Sequence, residues 1–110
     1  MVYDVKAVAE ELMLGTEDLR SIFQQFFDDT RIELEKCKEL TDTSDFDTLL
    51  KIAHSIKGVA SNLRMTLLSD VARSFETCAK DQNRGEINNE LKMMCNTFIS
   101  IQDQVRSFYA

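Results

Sequence analysis

The sequence contains no proline and no tryptophan, and only three of its 110 residues are glycine. A β-rich fold needs more turn-forming residues than this, so the composition favours long helices joined by short connections. No stretch approaches the roughly 18 consecutive apolar residues of a transmembrane helix, and the N-terminus lacks the basic start and apolar core of a signal peptide. These absences predict a cytoplasmic helical protein that does not associate with membranes.

An excess of positive charge is also missing, because 13 basic residues are outnumbered by 19 acidic ones and the net charge is −6. Nucleic-acid-binding proteins present a basic face, and anionic membrane surfaces attract basic segments, so neither partner is expected. The three cysteines, Cys37, Cys78 and Cys95, lie far apart without metal-ligand spacing. We interpret them as buried apolar side chains in a reducing compartment. A glycine-rich phosphate-binding loop is absent as well, so no metal site and no cofactor are predicted.

Apolar residues make up 44% of the chain and recur at helical spacing in five segments. A short first helix is predicted over 5–14, capped by Asp4 and ended by Gly15 in the left-handed conformation. Longer helices are predicted over 17–40, 46–63 and 67–82, with N-caps at Thr16, Ser44 and Thr66, and a last helix from near residues 86–88.

These segments predict an all-α fold and a single domain over residues 1–110. The domain is expected to be an antiparallel up-and-down four-helix bundle with an additional short N-terminal helix. The last helix carries an apolar seam over three heptads, which also allows a homomeric coiled coil. Packing of that helix inside a monomeric bundle is the preferred interpretation.

His54 is the only histidine and lies on the third predicted helix. The apolar residues of that helix have the spacing of one buried stripe and are Phe46, Leu49, Ala53, Ile56, Ala60 and Leu63. At about 100° per residue, His54 lies roughly 145° from the centre of this stripe. We therefore expect its imidazole to point into solvent.

Gly58 is unexpected inside this helix, because glycine there costs roughly 0.5–1 kcal/mol relative to alanine. It lies four residues after His54, so a side chain at this position would stand beside the imidazole. Lys57, three residues after His54, adds a mobile cation on the neighbouring face. An exposed imidazole, a cleared flank and a cation together suit a phosphoryl group on a ring nitrogen.

The segment His54-Ser55-Ile56-Lys57-Gly58, followed by small residues and by Asn62-Leu63, resembles the motif of histidine-containing phosphotransfer (HPt) domains. These domains are helical bundles that carry a phosphoryl group between aspartates in two-component phosphorelays. The resemblance extends over nearly the whole chain in length and helix order. One departure is Arg64, which stands where these domains usually have a glycine.

The resemblance implies a phosphocarrier that is phosphorylated on His54 and is not itself an enzyme. It also implies that Glu76, 22 residues after His54, hydrogen-bonds the ring and fixes its tautomer, and that Mg²⁺ is bound by a partner receiver domain. Lys57 is expected to help balance the phosphoryl charge. Ser61 and Asn62 are candidates for hydrogen bonds near the phosphoryl group.

The expected partners are receiver domains of response regulators, a hybrid sensor kinase, or both. Exposed apolar side chains near the histidine suit the centre of a small, transient interface. The predicted docking surface consists of Leu50, Lys57, Gly58 and Ser61 with Met13, Leu14 and Ile22 of the first two helices.

Two other functions remain open at this point. The chain could be a helical adaptor or scaffold without phosphoryl chemistry, although an adaptor has no need of Gly58 beside His54. It could also be the phosphotransfer domain of a larger chemotaxis-type kinase, although the start at Met1 and the absence of a linker favour a free-standing protein. Hydrolytic catalysis is poorly supported, because any nucleophile–histidine pair would have to use His54 and no strained nucleophile turn is evident.

Overall fold

A computed structural model describes residues 2–110 as five helices, which are α1 (Val5–Leu12), α2 (Thr16–Asp42), α3 (Phe46–Asn62), α4 (Thr66–Lys80) and α5 (Ile87–Tyr109). No strand occurs in this part of the chain. Helix α3 packs against α2 and α4, α5 packs against α4 and α2, and α1 covers one end of α2. Short connections make successive long helices antiparallel, and the bundle measures 41 × 21 × 20 Å. The predicted all-α bundle is confirmed.

The core is built from the apolar stripes of the four long helices. Helices α3 and α4 have the most extensive contact of any pair, and both bury small side chains, including Ala53, Ala60 and Ala72. Small residues at a helix interface allow the backbones to approach closely. Each helix keeps a polar outer face, and none within residues 2–110 is long and apolar enough to span a membrane. The close α3–α4 pairing places solvent-facing residues of the two helices side by side.

The end of α1 differs from the prediction. The helix was expected to reach Leu14 and to end with a left-handed Gly15, but it ends at Leu12. Met13 takes the left-handed conformation instead, with φ 58°, while Gly15 is extended with φ −71°. The backbone N–H of Leu14 donates to Ala9 O at 3.0 Å and so closes the last turn early. Gly15 instead serves as the N-cap of α2.

The other helix boundaries are close to those predicted, but the caps are shifted. The predicted N-caps Thr16, Ser44 and Thr66 were each wrong by one residue, since the observed caps are Gly15, Asp45 and Met65. Asp45 caps α3 with its own carboxylate, which accepts from Thr48 N at 3.2 Å. Asp4 caps α1 as predicted by accepting from Ala7 N at 3.0 Å.

Arg64 forms the turn between α3 and α4 in the left-handed conformation, with φ 60°. This is the region that glycine occupies without steric cost, which explains why a glycine is usual at this position. Arg64 Nε lies 2.9 Å from Glu11 Oε1, so the side chain ties the turn to the end of α1. Tyr3 Oη donates to Leu63 O at 2.6 Å on the same turn. The turn thus keeps its shape without a glycine.

Candidate functional site

His54 lies on the outer face of α3, opposite the buried Ala53 and Ile56. Its side chain is 71% exposed, as the helical periodicity of the sequence predicts. The ring is therefore open to a reacting group from another molecule.

Glu76 on α4 contacts the ring directly. His54 Nδ1 lies 2.7 Å from Glu76 Oε2, a distance typical of a strong, charge-assisted hydrogen bond. When the ring is neutral, this contact requires the proton on Nδ1, because an ionised carboxylate can only accept. The lone pair of Nε2 is then left on the solvent side of the ring. The structure thus brings together two residues 22 positions apart, and an orienting role for Glu76 stays a prediction.

Lys57 completes a three-residue cluster around the same carboxylate. Its Nζ lies 2.7 Å from Glu76 Oε1, and the Lys57 and Glu76 side chains are only 25% and 19% exposed. The hydrogen bond from Lys57 lowers the pKa of Glu76, with a smaller contribution from His54, against the opposite effect of burial. Glu76 therefore remains an anion with one oxygen on the lysine and the other on the imidazole.

Gly58 is exposed beside this cluster, one helical turn after His54. A methyl group placed on its Cα would meet no other atom of the protein within 4 Å. Packing inside the bundle therefore does not require glycine here. A side chain at this position would point into open space.

A groove of about 820 Å³ between α3 and α4 surrounds His54, and its lining is Leu50, Lys51, His54, Ser55, Lys57, Glu76, Thr77 and Lys80. Lys51, Thr77 and Lys80 were missed by the sequence analysis. Lys51 precedes His54 by three residues and Lys80 follows Glu76 by four, so helical spacing alone was a signal for both. Within residues 2–110, neither Lys51 nor Lys80 forms an ion pair. They leave this edge of an acidic protein positively charged.

A second groove of about 530 Å³ runs between α2 and α3 and is lined in part by Ile22, Ile32, Ser55 and Val59. Ser55 lines both grooves, so the apolar surface on α2 is continuous with the surface around His54. The side chains of Ile22 and Val59 are about two-fifths exposed. Ile32 and Val59 were missed by the sequence analysis, although exposed apolar residues on two adjacent helices are the expected signal.

Five predicted binding residues lie outside both grooves, and one of them is Gly58, described above. Met13 and Leu14 are exposed at the end of α1 and line neither groove. Ser61 and Asn62 are exposed near the end of α3, about 10 and 12 Å beyond His54 along the helix axis. The hydrogen bond of the ring is to Glu76, and this separation along the helix places Ser61 and Asn62 away from His54.

Comparison with known families identifies the class of protein. Residues 21–103 match the family described as Hpt domain, which is more than half of the 110-residue chain. The chain belongs to the Hpt domain family, whose members are helical phosphocarriers in phosphorelays. No curated protein and no solved structure matches the chain at a significant level. The family predicted from the His54 segment is confirmed.

Proposed function

We propose that the chain carries a phosphoryl group on His54 Nε2 between aspartates of receiver domains. The observation that carries this proposal is the exposed ring whose Nδ1 is held by Glu76 at 2.7 Å. When an imidazole held in this way is neutral, its second nitrogen carries the lone pair and can act as a nucleophile. We place the protein in the cytoplasm as a monomer, in contact with soluble receiver domains.

In the proposed reaction, the Nε2 lone pair attacks the phosphorus of an aspartyl phosphate on the partner. The N–P bond forms as the P–O bond to the aspartate breaks, and the aspartate leaves as a carboxylate. The ring becomes a phosphoimidazolium that keeps its proton on Nδ1. Its new positive charge faces the Glu76 carboxylate, which stabilises it. Attack by another aspartate then regenerates neutral His54. The chain is therefore a carrier that is reversibly phosphorylated and is not itself a catalyst.

The three lysines around the ring have different electrostatic roles. Lys57 neutralises Glu76 through the 2.7 Å ion pair, so an incoming phosphoryl group does not meet an uncompensated carboxylate. Lys51 and Lys80 line the same groove with free ammonium groups and are placed to offset the charge on the transferred phosphoryl group. The sequence analysis expected Lys57 to balance the phosphoryl charge. In this proposal Lys51 and Lys80 take over part of that role.

Among residues 2–110, no three histidine, cysteine or acidic side chains are close enough together to hold a metal ion. The resemblance to HPt domains assigns Mg²⁺ to the receiver, whose own acidic pocket holds the aspartyl phosphate. In-line transfer then depends on how accurately the two proteins position Nε2 against phosphorus.

The receiver is proposed to dock over both grooves next to His54. Ile22, Ile32 and Val59 supply exposed apolar area on one side, and Leu50 lies on the other side of the ring. The open space at Gly58 lets the partner backbone approach the helix closely. Small transient interfaces combine an apolar centre of this kind with a polar rim.

The decisive experiment is phosphotransfer from receiver proteins charged with acetyl phosphate. The wild-type chain should acquire acid-labile, base-stable phosphate, as expected for phosphohistidine, and His54→Gln should acquire none. Ile22→Asp should slow transfer while leaving the melting temperature nearly unchanged, because about two-fifths of Ile22 is exposed. If no donor receiver or hybrid kinase phosphorylates the wild-type chain, the adaptor function replaces this proposal.

A further inference from the structure

Half of the six arginines of this acidic chain meet at a second site, in a cleft between α2 and α5. The cleft has a volume of about 360 Å³ and is lined by Arg20, Arg31 and Arg106. Phe23 and Phe27 also line it, and both are buried. None of its lining residues belongs to the grooves beside His54. The phosphocarrier function does not use this site.

Gln102 holds two of these arginines side by side. It is only 7% exposed, which makes it an unusual polar residue in the buried stripe of α5. Its amide oxygen accepts from Arg31 Nη2 at 3.0 Å and from Arg106 Nη2 at 3.2 Å. The opposite amide orientation would set an N–H donor against two guanidinium donors, so the oxygen faces the arginines. Two positive groups thus share one neutral acceptor.

Arg20 contacts an aromatic ring at the same cleft. Its guanidinium carbon lies 5.4 Å from the centre of the Tyr109 ring, within the range of a cation–π contact. The Tyr109 hydroxyl in turn donates to Thr16 O at 2.5 Å, which locks the ring between α2 and α5. The third guanidinium therefore also has a contact at the cleft, and about half of the Arg20 side chain is exposed.

The acidic side chains nearby do not saturate these donors. Asp28 approaches Arg31 at 3.6 Å and Glu17 approaches Arg20 at 3.9 Å, and these carboxylates are 68% and 79% exposed. Such contacts are too long for good hydrogen bonds and contribute little at a surface. Each guanidinium carries five N–H donors, so these two contacts leave most donors of the cluster available to a ligand.

We propose that this cleft binds a small, multiply charged oxyanion of the phosphate or carboxylate class. Guanidinium groups match the paired oxygens of both chemistries, and a dianion between them relieves the repulsion of like charges held together. Buried Phe23 and Phe27 form part of the lining, and an apolar lining of this kind strengthens electrostatic contacts by lowering the local polarity. Gln102 is buried to position the two arginines before the anion arrives.

Site-resolved NMR of the full chain tests this site directly. Pyrophosphate and citrate are titrated separately, and sodium chloride is matched for ionic strength. The resonances to follow are the Gln102 side-chain amide and the Nε–H groups of Arg20, Arg31 and Arg106. The side chains of Lys51 and Lys80 are followed as a comparison for the groove beside His54. The inference expects saturable shifts with at least one oxyanion and none with chloride, and the anion that saturates at the lower concentration identifies phosphate or carboxylate chemistry.

Variants distinguish anion binding at this cleft from attraction by the net charge of the protein. Arg31→Gln/Arg106→Gln should weaken binding about tenfold or more, as expected for the loss of charge-assisted hydrogen bonds. Arg73→Gln/Arg84→Gln makes the same change in net charge elsewhere and should bind like the wild type. Arg20→Gln leaves the contacts of Gln102 intact, so it tests the cleft even if the double variant unfolds.

Three outcomes would overturn the inference. Shifts that follow ionic strength regardless of the anion would show screening only. Saturable shifts confined to the lysines beside His54 would place the anion in the phosphocarrier groove. Equal weakening in the Arg73→Gln/Arg84→Gln control would show that net charge, and not this cleft, attracts the anion.

Discussion

His54 Nδ1 lies 2.7 Å from Glu76 Oε2, and the other oxygen of that carboxylate lies 2.7 Å from Lys57 Nζ. One carboxylate on α4 therefore contacts both the imidazole and the ammonium group of a lysine on α3. Under the proposed function, this arrangement meets two requirements of a phosphohistidine site. The ring needs an acceptor for its Nδ1 proton, while the phosphoryl group needs surroundings without excess negative charge.

Removal of the Glu76 carboxylate should slow phosphorylation of His54. In Glu76→Ala the ring loses its acceptor and populates both tautomers, so the rate should fall about tenfold, the scale seen when a hydrogen bond that orients an imidazole is removed. Glu76→Gln retains an acceptor oxygen and should recover part of the rate. Rapid-quench phosphotransfer measures both variants, and equal rates for Glu76→Ala and the wild type would rule out an orienting role.

The same residue should make stability depend on pH in the acid range. The pKa of Glu76 in the folded protein lies below its ordinary value of 4.5, so the folded state binds this proton less readily than the unfolded state. The contribution is complete above the unfolded pKa and is lost as the pH falls through the folded one. Urea unfolding at a series of pH values should show this loss in the wild type but not in Glu76→Gln, relative to Asp70→Asn as a matched control on α4.

Gly58 should be replaceable for folding but not for transfer. Gly58→Ala should raise the free energy of unfolding by up to about 1 kcal/mol, since alanine is the better helix former and the space beside it is open. Gly58→Leu and Gly58→Gln should remain folded while transfer from a receiver aspartate falls by about an order of magnitude or more, because a poor fit misplaces the reacting atoms.

Thermal melts and transfer rates of the same Gly58 variants provide the check. Ser100→Leu introduces the same bulk on an exposed position of α5 and should transfer normally. If Gly58→Leu unfolds the bundle, the glycine has a packing role that the open space beside it does not explain.

The unpaired lysines beside His54 should set the electrostatics of transfer. Lys51→Gln/Lys80→Gln should lower the transfer rate several-fold and weaken its dependence on ionic strength, because the variant lacks two charges that attract the phosphoryl group. Lys6→Gln/Lys92→Gln makes the same change in net charge on α1 and α5. Transfer rates at low and high salt distinguish the two double variants, and indistinguishable profiles would assign the effect to overall charge.

Much of this protein could be predicted from local patterns in the sequence. The apolar stripe of α3 placed His54 on the exposed face, and the 71% exposure of its side chain agrees. The composition and the five amphipathic segments predicted the helical bundle. These predictions succeeded because helical periodicity is local and each stripe has to be buried against a neighbour.

The helix ends were less predictable. Met13, Ser44, Arg64 and Gln82 take left-handed conformations that sequence propensity assigns to glycine, while Gly15 does not. At Arg64 the left-handed backbone is accompanied by the ion pair with Glu11, 53 residues earlier in the chain. Contacts over such distances in sequence leave no local pattern to detect.

The sequence by itself determined the bundle, the exposed histidine and the bare flank at Gly58, because these follow from residue type and helical spacing. Only the tertiary structure decided which charges meet. The α3–α4 interface sets Glu76 between His54 and Lys57, and Lys51 and Lys80 form no ion pair with residues 2–110. The α2–α5 interface gathers Arg31 and Arg106 on Gln102. Hydrogen bonds and ion pairs act over about 3 Å, so they depend on how two helices pack, and no periodicity within one helix specifies that.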